Sequence, residues 1–303
     1  MRPASRNGSR VLATTPTAVL FPGQGSQTPT MRDTVASVRP DLLGAVIDLV
    51  GEDPFARVEE STRYAQPAIF CASLAGWTQI RDRVDPIALA GHSLGELSAL
   101  AAAGAIDERD ALRLVVLRGL LMDVAGAASG GGTMLAVLGA TPAQASALAA
   151  RHGVSLANDN APGQVALSGA PDALKAARKD ARGAGLRAVA LDVSGAFHSP
   201  QMERAVIPFR EALAEIQVRR PDIPVISCAT TSPFGDPREE LADALISPVR
   251  WRETMVALAA AGATTFVDAG PGAVLARLAP RCVPDAAAAS LDVLLSTPDP
   301  TPA

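Results

Sequence analysis

Short apolar runs alternate along this chain with longer stretches whose apolar positions recur at helical spacing. "TAVLFPG" (17–23) is an apolar run closed by Pro-Gly, and it predicts a strand entering a Gly-containing loop. "PAIFCASLAGWTQI" (67–80) is too long for a strand and predicts a helix. "DPIALAG" (85–91) predicts a second, buried strand. A helix-like run, "LGELSALAAAGAI" (94–106), follows it, and then a long helix from about Glu108 to Val124. Strands and helices taking turns in this way argue an α/β fold built on a parallel sheet.

The rhythm tightens after "GAASGGGT" (126–133), which reads as a flexible joint. Strand "TMLAVLG", helix "TPAQASALAARHG", strands "VSLANDN" and "QVALSG", helix "PDALKAARKDARGAG" and strand "LRAVALDV" come in succession. That order is β-α-β-β-α-β, a ferredoxin-like unit inserted into the larger domain. The chain then returns through "GAFHSPQM", a helix to about Ile216, and the strands "PVISC" and "TTFVDAGPG". The expected organisation is therefore a flexible tail over 1–16 and a large domain over 17–127 and 198–283. The small domain covers 128–197, and a second flexible tail, rich in Ala and Pro, covers 284–303.

The chemistry concentrates at "LAGHSLGELSAL" (89–100), where Ser93 stands between Gly91 and Gly95 on a predicted strand–turn–helix. Such a turn lifts the hydroxyl out of the fold and aims the N–H groups of the next helix at the reaction centre. The Leu94 N–H is thus a candidate oxyanion donor. A serine needs a base, and the chain has 3 histidines. His92 adjoins Ser93 on the tight turn and is expected to point elsewhere. His152 closes a helix before Gly153, a solvated position. His198, in "SGAFHSP" where the small domain rejoins the large one, remains as the base. Asp192 is near it in sequence, with nothing to bring it to the ring.

Arg118 lies on the long helix among Leu114, Val115, Leu121 and Met122. A cation on an apolar face needs a partner. Its planar fork suits a carboxylate, either on a substrate or on a buried acid such as Glu96.

Composition narrows the class. With 303 residues and 48% apolar content the chain can bury a large core. A net charge of −4 supplies no global basic field for nucleic acid. No apolar run reaches the roughly 18 residues of a membrane helix, and "MRPASRNGSRVLATTPT" has no apolar core of a secretory leader. The 3 cysteines, Cys71, Cys228 and Cys282, show no metal-ligand spacing and suit a reducing compartment. A cytoplasmic enzyme is expected, with no metal site, no nucleic-acid partner and no membrane partner.

Five segments in order, "FPGQGSQ" (21–27), "GHSLGE" (91–96), "LRG" (117–119), "NDNAPGQVALSG" (158–169) and "GAFHS" (195–199), resemble the malonyl-CoA:acyl carrier protein transacylases. These include stand-alone enzymes of fatty acid synthesis and acyltransferase units of polyketide synthases. The resemblance runs over about residues 17–282 and implies an α/β-hydrolase-like large domain. It implies that Ser93 takes malonyl from a coenzyme A thioester as an ester. It also implies that His198, held by a backbone carbonyl, is base and then acid, and that the phosphopantetheine thiol of an acyl carrier protein receives the group. Gln24 matches the residue whose backbone N–H joins that of Leu94 in the oxyanion hole. Arg118 matches the arginine that holds the malonyl carboxylate. Phe197 matches a position that favours malonyl over methylmalonyl, Gln66 a pocket-lining glutamine, and Asn160 a motif asparagine near the cleft. No cofactor is implied, and a monomer is expected. Arg250, in "SPVRW", departs from the glutamine of many fatty acid enzymes and agrees with polyketide-type relatives. With Arg252, Arg277 and Arg281 it is a candidate basic surface for an acidic carrier. Acyl hydrolysis on the same fold, the transacylase subunit of a malonate decarboxylase, and a silent docking subunit are the competing functions. Arg118 counts against the first, and the intact Ser93, His198 and Gln24 against the last.

Overall fold

The computed structural model describes residues 15–128 and 130–297. Its strands are β1 (Thr17–Phe21), β2 (Pro86–Gly91), β3 (Thr133–Leu138), β4 (Ser155–Ala161), β5 (Gln164–Gly169), β6 (Arg187–Leu191), β7 (Val225–Ile226), β8 (Thr265–Asp268) and β9 (Ala287–Ser290). Its α-helices are α1 (Met31–Val38), α2 (Pro40–Val50), α3 (Thr62–Ile80), α4 (Gly95–Ala102), α5 (Glu108–Ala128), α6 (Pro142–His152), α7 (Pro171–Gly183), α8 (Glu203–Ala214), α9 (Pro237–Asp243), α10 (Trp251–Ala260), α11 (Val274–Cys282) and α12 (Leu291–Ser296).

Strand β1 is buried at all five positions because the sheet it centres is covered on both faces. Parallel partners flank it in the order β7-β2-β1-β8-β9. The period of two divides its side chains between two cores. Val19 and Phe21 pack with Ile69, Phe70 and Leu74 of α3. Ala18 and Leu20 pack with Trp251, Met255 and Leu258 of α10 and with Phe266. Full burial of one Leu or Phe contributes about 1.5–3 kcal/mol.

Helix α3 is apolar nearly all round and accordingly buried. It starts at Thr62 rather than at Pro67. Ser61 caps it by accepting from the Arg63 N–H, and a proline in the second turn removes only one early hydrogen bond.

The second sheet is antiparallel, in the order β4-β5-β3-β6, with the β-α-β-β-α-β chain order expected. Leu135, Val137, Val165 and Leu167 face α6 and α7, while Met134 and Ala166 face the main core. Thr141 and Gln144 form a reciprocal capping box that starts α6. The units are sewn together along β4: the Asp159 N–H donates to the Val249 carbonyl, and the Val249 N–H to the Ala157 carbonyl, each at 2.8 Å.

Two expectations are corrected. Helix α5 continues to Ala128, so the first part of the predicted joint is helical. The predicted C-terminal tail is not a tail as far as it is described. Residues Ala287–Ser290 pair in register with β8, and Leu291 and Leu294 of α12 join the main core. Backbone pairing holds an alanine run that carries no strand pattern in its side chains. Most of the N-terminal tail (1–14) and the last residues (298–303) lie outside the described residues.

Candidate active site

Strand β2 ends at Gly91 and α4 begins at Gly95, leaving three residues to reverse the chain. Both glycines are enforced by space. A Cβ on Gly91 would fall 1.9 Å from the Gly95 carbonyl carbon, and one on Gly95 would fall 1.9 Å from the Phe21 oxygen. Ser93 at the apex has a left-handed φ of 54°, a conformation that costs about 1–3 kcal/mol and persists only where the surroundings fix it. One fixing contact is the Ser93 N–H, which donates to the Cys228 sulfur at 3.4 Å.

The Ser93 hydroxyl lies 2.8 Å from Nε2 of His198, itself left-handed at φ 57°. Nδ1 of His198 lies 2.9 Å from the Ala244 carbonyl and 3.0 Å from the Ser247 carbonyl. Both oxygens accept only, so Nδ1 carries the proton, and Nε2 is bare and accepts from Ser93. Burial, and next the positive charge of Arg118, push the imidazole down to about 3. It is therefore neutral, and available as a base, throughout the physiological range.

Arg118 is buried on α5. It donates through Nη2 to the Ser93 hydroxyl at 3.0 Å and through Nη1 to Oε1 of Gln66 at 2.7 Å. Among the described residues no carboxylate forms an ion pair with it. Glu96 accepts instead from the Cys228 N–H at 2.8 Å, and burial raises its carboxyl to about 7. The Arg118–Glu96 pair left open by the sequence is thus not made. Burial lowers Arg118 only to about 10, so the guanidinium keeps its charge beside the Ser93 hydroxyl.

From Arg118 a hydrogen-bonded chain runs back to the "GQG" loop. Gln66 Nε2 donates to the Thr62 hydroxyl at 2.8 Å, and Thr62 donates to Oε1 of Gln24 at 2.6 Å. Each group has one consistent role, and the guanidinium donates at both ends. Gln66 is fully buried and stands behind Arg118 instead of lining the cleft. Gln24 and Leu94 both line it, and among the described residues neither backbone N–H donates to a protein acceptor.

The cleft encloses about 470 Å³ between the two sheets. Phe197 and Asn160 line it. Oδ1 of Asn160 accepts from Nε2–H of His92 at 2.8 Å, which, with the Trp251 ring 5.4 Å away, occupies that imidazole outside any base role. His152 pairs with Asp180 at 3.0 Å on the small unit. Asp192 lines the cleft without bonding His198. Sequence reasoning missed Thr62 and Asn158, which also line the cleft. Asn158 could have been found from Asn160, since residues two apart on a strand share a face.

The predicted basic surface is largely spent internally. Arg250 pairs with Glu253 at 2.5 Å and Arg252 with Asp159 at 2.6 Å, while Arg281 bonds Gln164 and the Pro162 carbonyl. Among the described residues no group of three or more His, Cys, Asp or Glu side chains could hold a metal ion. No described helix is long and apolar enough to cross a membrane.

A serine, a neutral imidazole and free backbone donors at one cleft can perform acyl transfer. Residues 42–297 match the acyl transferase domain family. The polyketide biosynthesis protein ThaF of Burkholderia thailandensis is 39% identical over 90% of this chain, which spans only 25% of that protein's length. The malonyl CoA-acyl carrier protein transacylase of Bacillus subtilis is 36% identical over 86% of this chain and 88% of its own. A solved complex of a type II polyketide synthase acyl carrier protein with its malonyl-transacylase, PlMCAT:AntF, superposes with a TM-score of 0.85 at 33% identity. It covers 91% of this chain and 96% of that one. The chain belongs to the malonyl-CoA:acyl carrier protein transacylase family of acyl transferases.

Proposed function

We propose that the protein moves a malonyl group from malonyl-CoA to the phosphopantetheine thiol of an acyl carrier protein through an ester on Ser93. The observation that carries this is the Ser93 hydroxyl held between a bare imidazole nitrogen at 2.8 Å and a buried, carboxylate-free guanidinium at 3.0 Å. His198 Nε2 takes the hydroxyl proton as Ser93 Oγ attacks the thioester carbonyl. The Ala244 and Ser247 carbonyls stabilise the imidazolium in the part a carboxylate plays elsewhere. The N–H groups of Leu94 and Gln24 take the developing oxyanion, each such donor contributing about 10²–10³ in rate. His198 then protonates the departing thiolate of coenzyme A. In the second half the carrier thiol gives its proton to His198 and attacks the ester carbonyl, and as the C–O bond to Ser93 breaks His198 returns that proton to Oγ, restoring the free hydroxyl and the neutral imidazole. Arg118 binds the free malonyl carboxylate, with Gln66 orienting the guanidinium, and Phe197 limits bulk at the α-carbon. Hydrolysis would waste this clamp, since water needs no carboxylate on the acyl chain.

On this reading the large unit is α/β-hydrolase-like and runs over 17–127 and 198–297, with a ferredoxin-like unit over 128–197 between them. It needs no cofactor, acts as a monomer and works in the cytoplasm. The test is malonylation of a carrier protein followed by mass. The phosphopantetheinylated carrier should gain one malonyl group from malonyl-CoA, and the carrier without its arm should not. Release of free malonate, with no gain by the loaded carrier, would support hydrolysis instead.

A further inference from the structure

Thr62 begins α3, and its hydroxyl is the middle link of the chain that runs from Arg118 to the loop over 23–27. The guanidinium fixes the direction of every bond in that chain. Arg118 Nη1 can only donate, so Gln66 meets it with Oε1 and turns Nε2 to Thr62. The Thr62 oxygen accepts there, and its single proton is left for Oε1 of Gln24 at 2.6 Å.

The link is rigid at one end and open at the other. Thr62 is 2% exposed, and its β-branched side chain has little rotamer freedom. Ser61 before it caps α3 and donates to Asp123 on α5 at 2.7 Å. Gln24 and Gly25, by contrast, are exposed, and a Cβ on Gly25 would meet nothing within 4 Å. Between the buried Gly23 and Ser26, packing alone therefore leaves the loop free to turn. Its other side-chain hydrogen bonds close within it, Ser26 donating to the Gly23 carbonyl and the Gly25 N–H to Gln27. Among the described residues, the Thr62–Gln24 bond is the side-chain hydrogen bond that ties residues 23–27 to another element.

We propose that Thr62 is a positioning residue for the oxyanion hole: its hydroxyl anchors Gln24, and with it the Gln24 N–H, to the charged Arg118–Gln66 pair. The assignment rests on the transfer reading above. An oxyanion donor acts through its fixed placement, so the group that anchors it bears on the rate of the acyl step and not on binding. Arg118 reads the carboxylate of one acyl group. Thr62 acts at the carbonyl, which every acyl group has.

The test follows Ser93 acylation by intact mass, with malonyl-CoA and, over longer exposures, with acetyl-CoA. The maximal rate and the thioester concentration that gives half of it are measured for the wild type, Thr62→Val, Thr62→Ser, Gln24→Leu and the Thr62→Val/Gln24→Leu double variant. Thermal midpoints check folding, and Gln24→Leu, at an exposed side chain, carries the test if Thr62→Val does not fold. Thr62→Val and Gln24→Leu should each lower the maximal rate about tenfold on both thioesters, the loss expected for one hydrogen bond, and leave the half-saturating concentration unchanged. The double variant should be no slower than either single one, because both remove the same bond. Thr62→Ser, which restores the hydroxyl, should recover most of the rate. A maximal rate within about threefold of the wild type in Thr62→Val, or in Gln24→Leu where that variant stands in, overturns the assignment. So do losses that multiply in the double variant, a Thr62→Ser rate as low as that of Thr62→Val, or a loss confined to malonyl-CoA. Each of these leaves the transfer reading intact. Absence of any Ser93 adduct from malonyl-CoA in the wild type overturns both.

Discussion

The parallel sheet and the antiparallel sheet meet at the same cleft but supply different things to it. From the parallel unit come Ser93 after β2, Arg118 on α5, and the Ala244 and Ser247 carbonyls that hold His198. These groups are charged, strained or shifted in pKa. From the antiparallel unit come Asn158, Asn160, Met134 and Ala166, which are neutral, together with the carboxylate Asp192, and they shape the wall. The difference follows from burial. A sheet covered on both faces supplies the dry, rigid surroundings that depress an imidazole and hold two residues at positive φ. A sheet with helices on one face can lend its other face as a lining.

The sharpest way to break the comparison is to remove groups of the parallel unit one at a time. His198→Ala should lower kcat/KM for transfer by about 10²–10⁴. His152→Ala, on the small unit, should stay near wild type. A crippled His152 variant would place the base on the wrong sheet. Arg118→Ala should follow in size. Losing a desolvated charge-assisted pair costs about 2–5 kcal/mol, and the loss should fall on malonyl-CoA alone, with acetyl-CoA unchanged or faster. Equal loss on both substrates, measured as kcat/KM, would make Arg118 structural.

The pH profile sharpens the electrostatic half of the contrast. His198 is depressed from 6.5 to about 3, so the folded protein holds fewer protons on it than the unfolded chain between those values. Its contribution to stability is complete above pH 6.5 and declines as pH falls towards about 3. The imidazole stays neutral over the same window, so if His198 is the base as proposed, Ser93 malonylation at subsaturating malonyl-CoA should hold its rate from neutrality down past pH 6. A fall with an apparent pKa near that of a free histidine would show that burial does not set this group.

The smallest effect belongs to the seam. Asp159→Asn removes the partly exposed pair with Arg252, worth about 0–1 kcal/mol, and leaves the main-chain bonds to Val249. Thermal unfolding should shift by a few degrees at most, and transfer should stay within about twofold. A loss approaching that of His198→Ala would mean that the small unit positions the base.

The contact between Ser93 and His198, the nucleophile and base proposed here, was legible in sequence because each residue is signalled locally. Gly91 and Gly95 frame Ser93, and elimination among three histidines leaves His198. Arg118 was legible as a misplaced charge, but whether Glu96 met it was decided only by the fold, which turns Glu96 to the Cys228 N–H. Thr62 escaped because Pro67 masked the true start of α3. Asn158 escaped because strand alternation was not carried back from Asn160. Strand β9 escaped because "AAAAS" has neither apolar alternation nor β-branched residues, and its place at the sheet edge is fixed by backbone pairing to β8.

The central claim, that Ser93 carries the malonyl group, is tested most directly by intact mass and peptide mapping after brief exposure to malonyl-CoA. The wild type should gain one malonyl group, mapped to the peptide holding Ser93, and lose it on addition of a phosphopantetheinylated carrier protein. Ser93→Ala should gain none. An adduct of the same mass on the Ser93→Ala protein, mapped to another residue, would contradict the account.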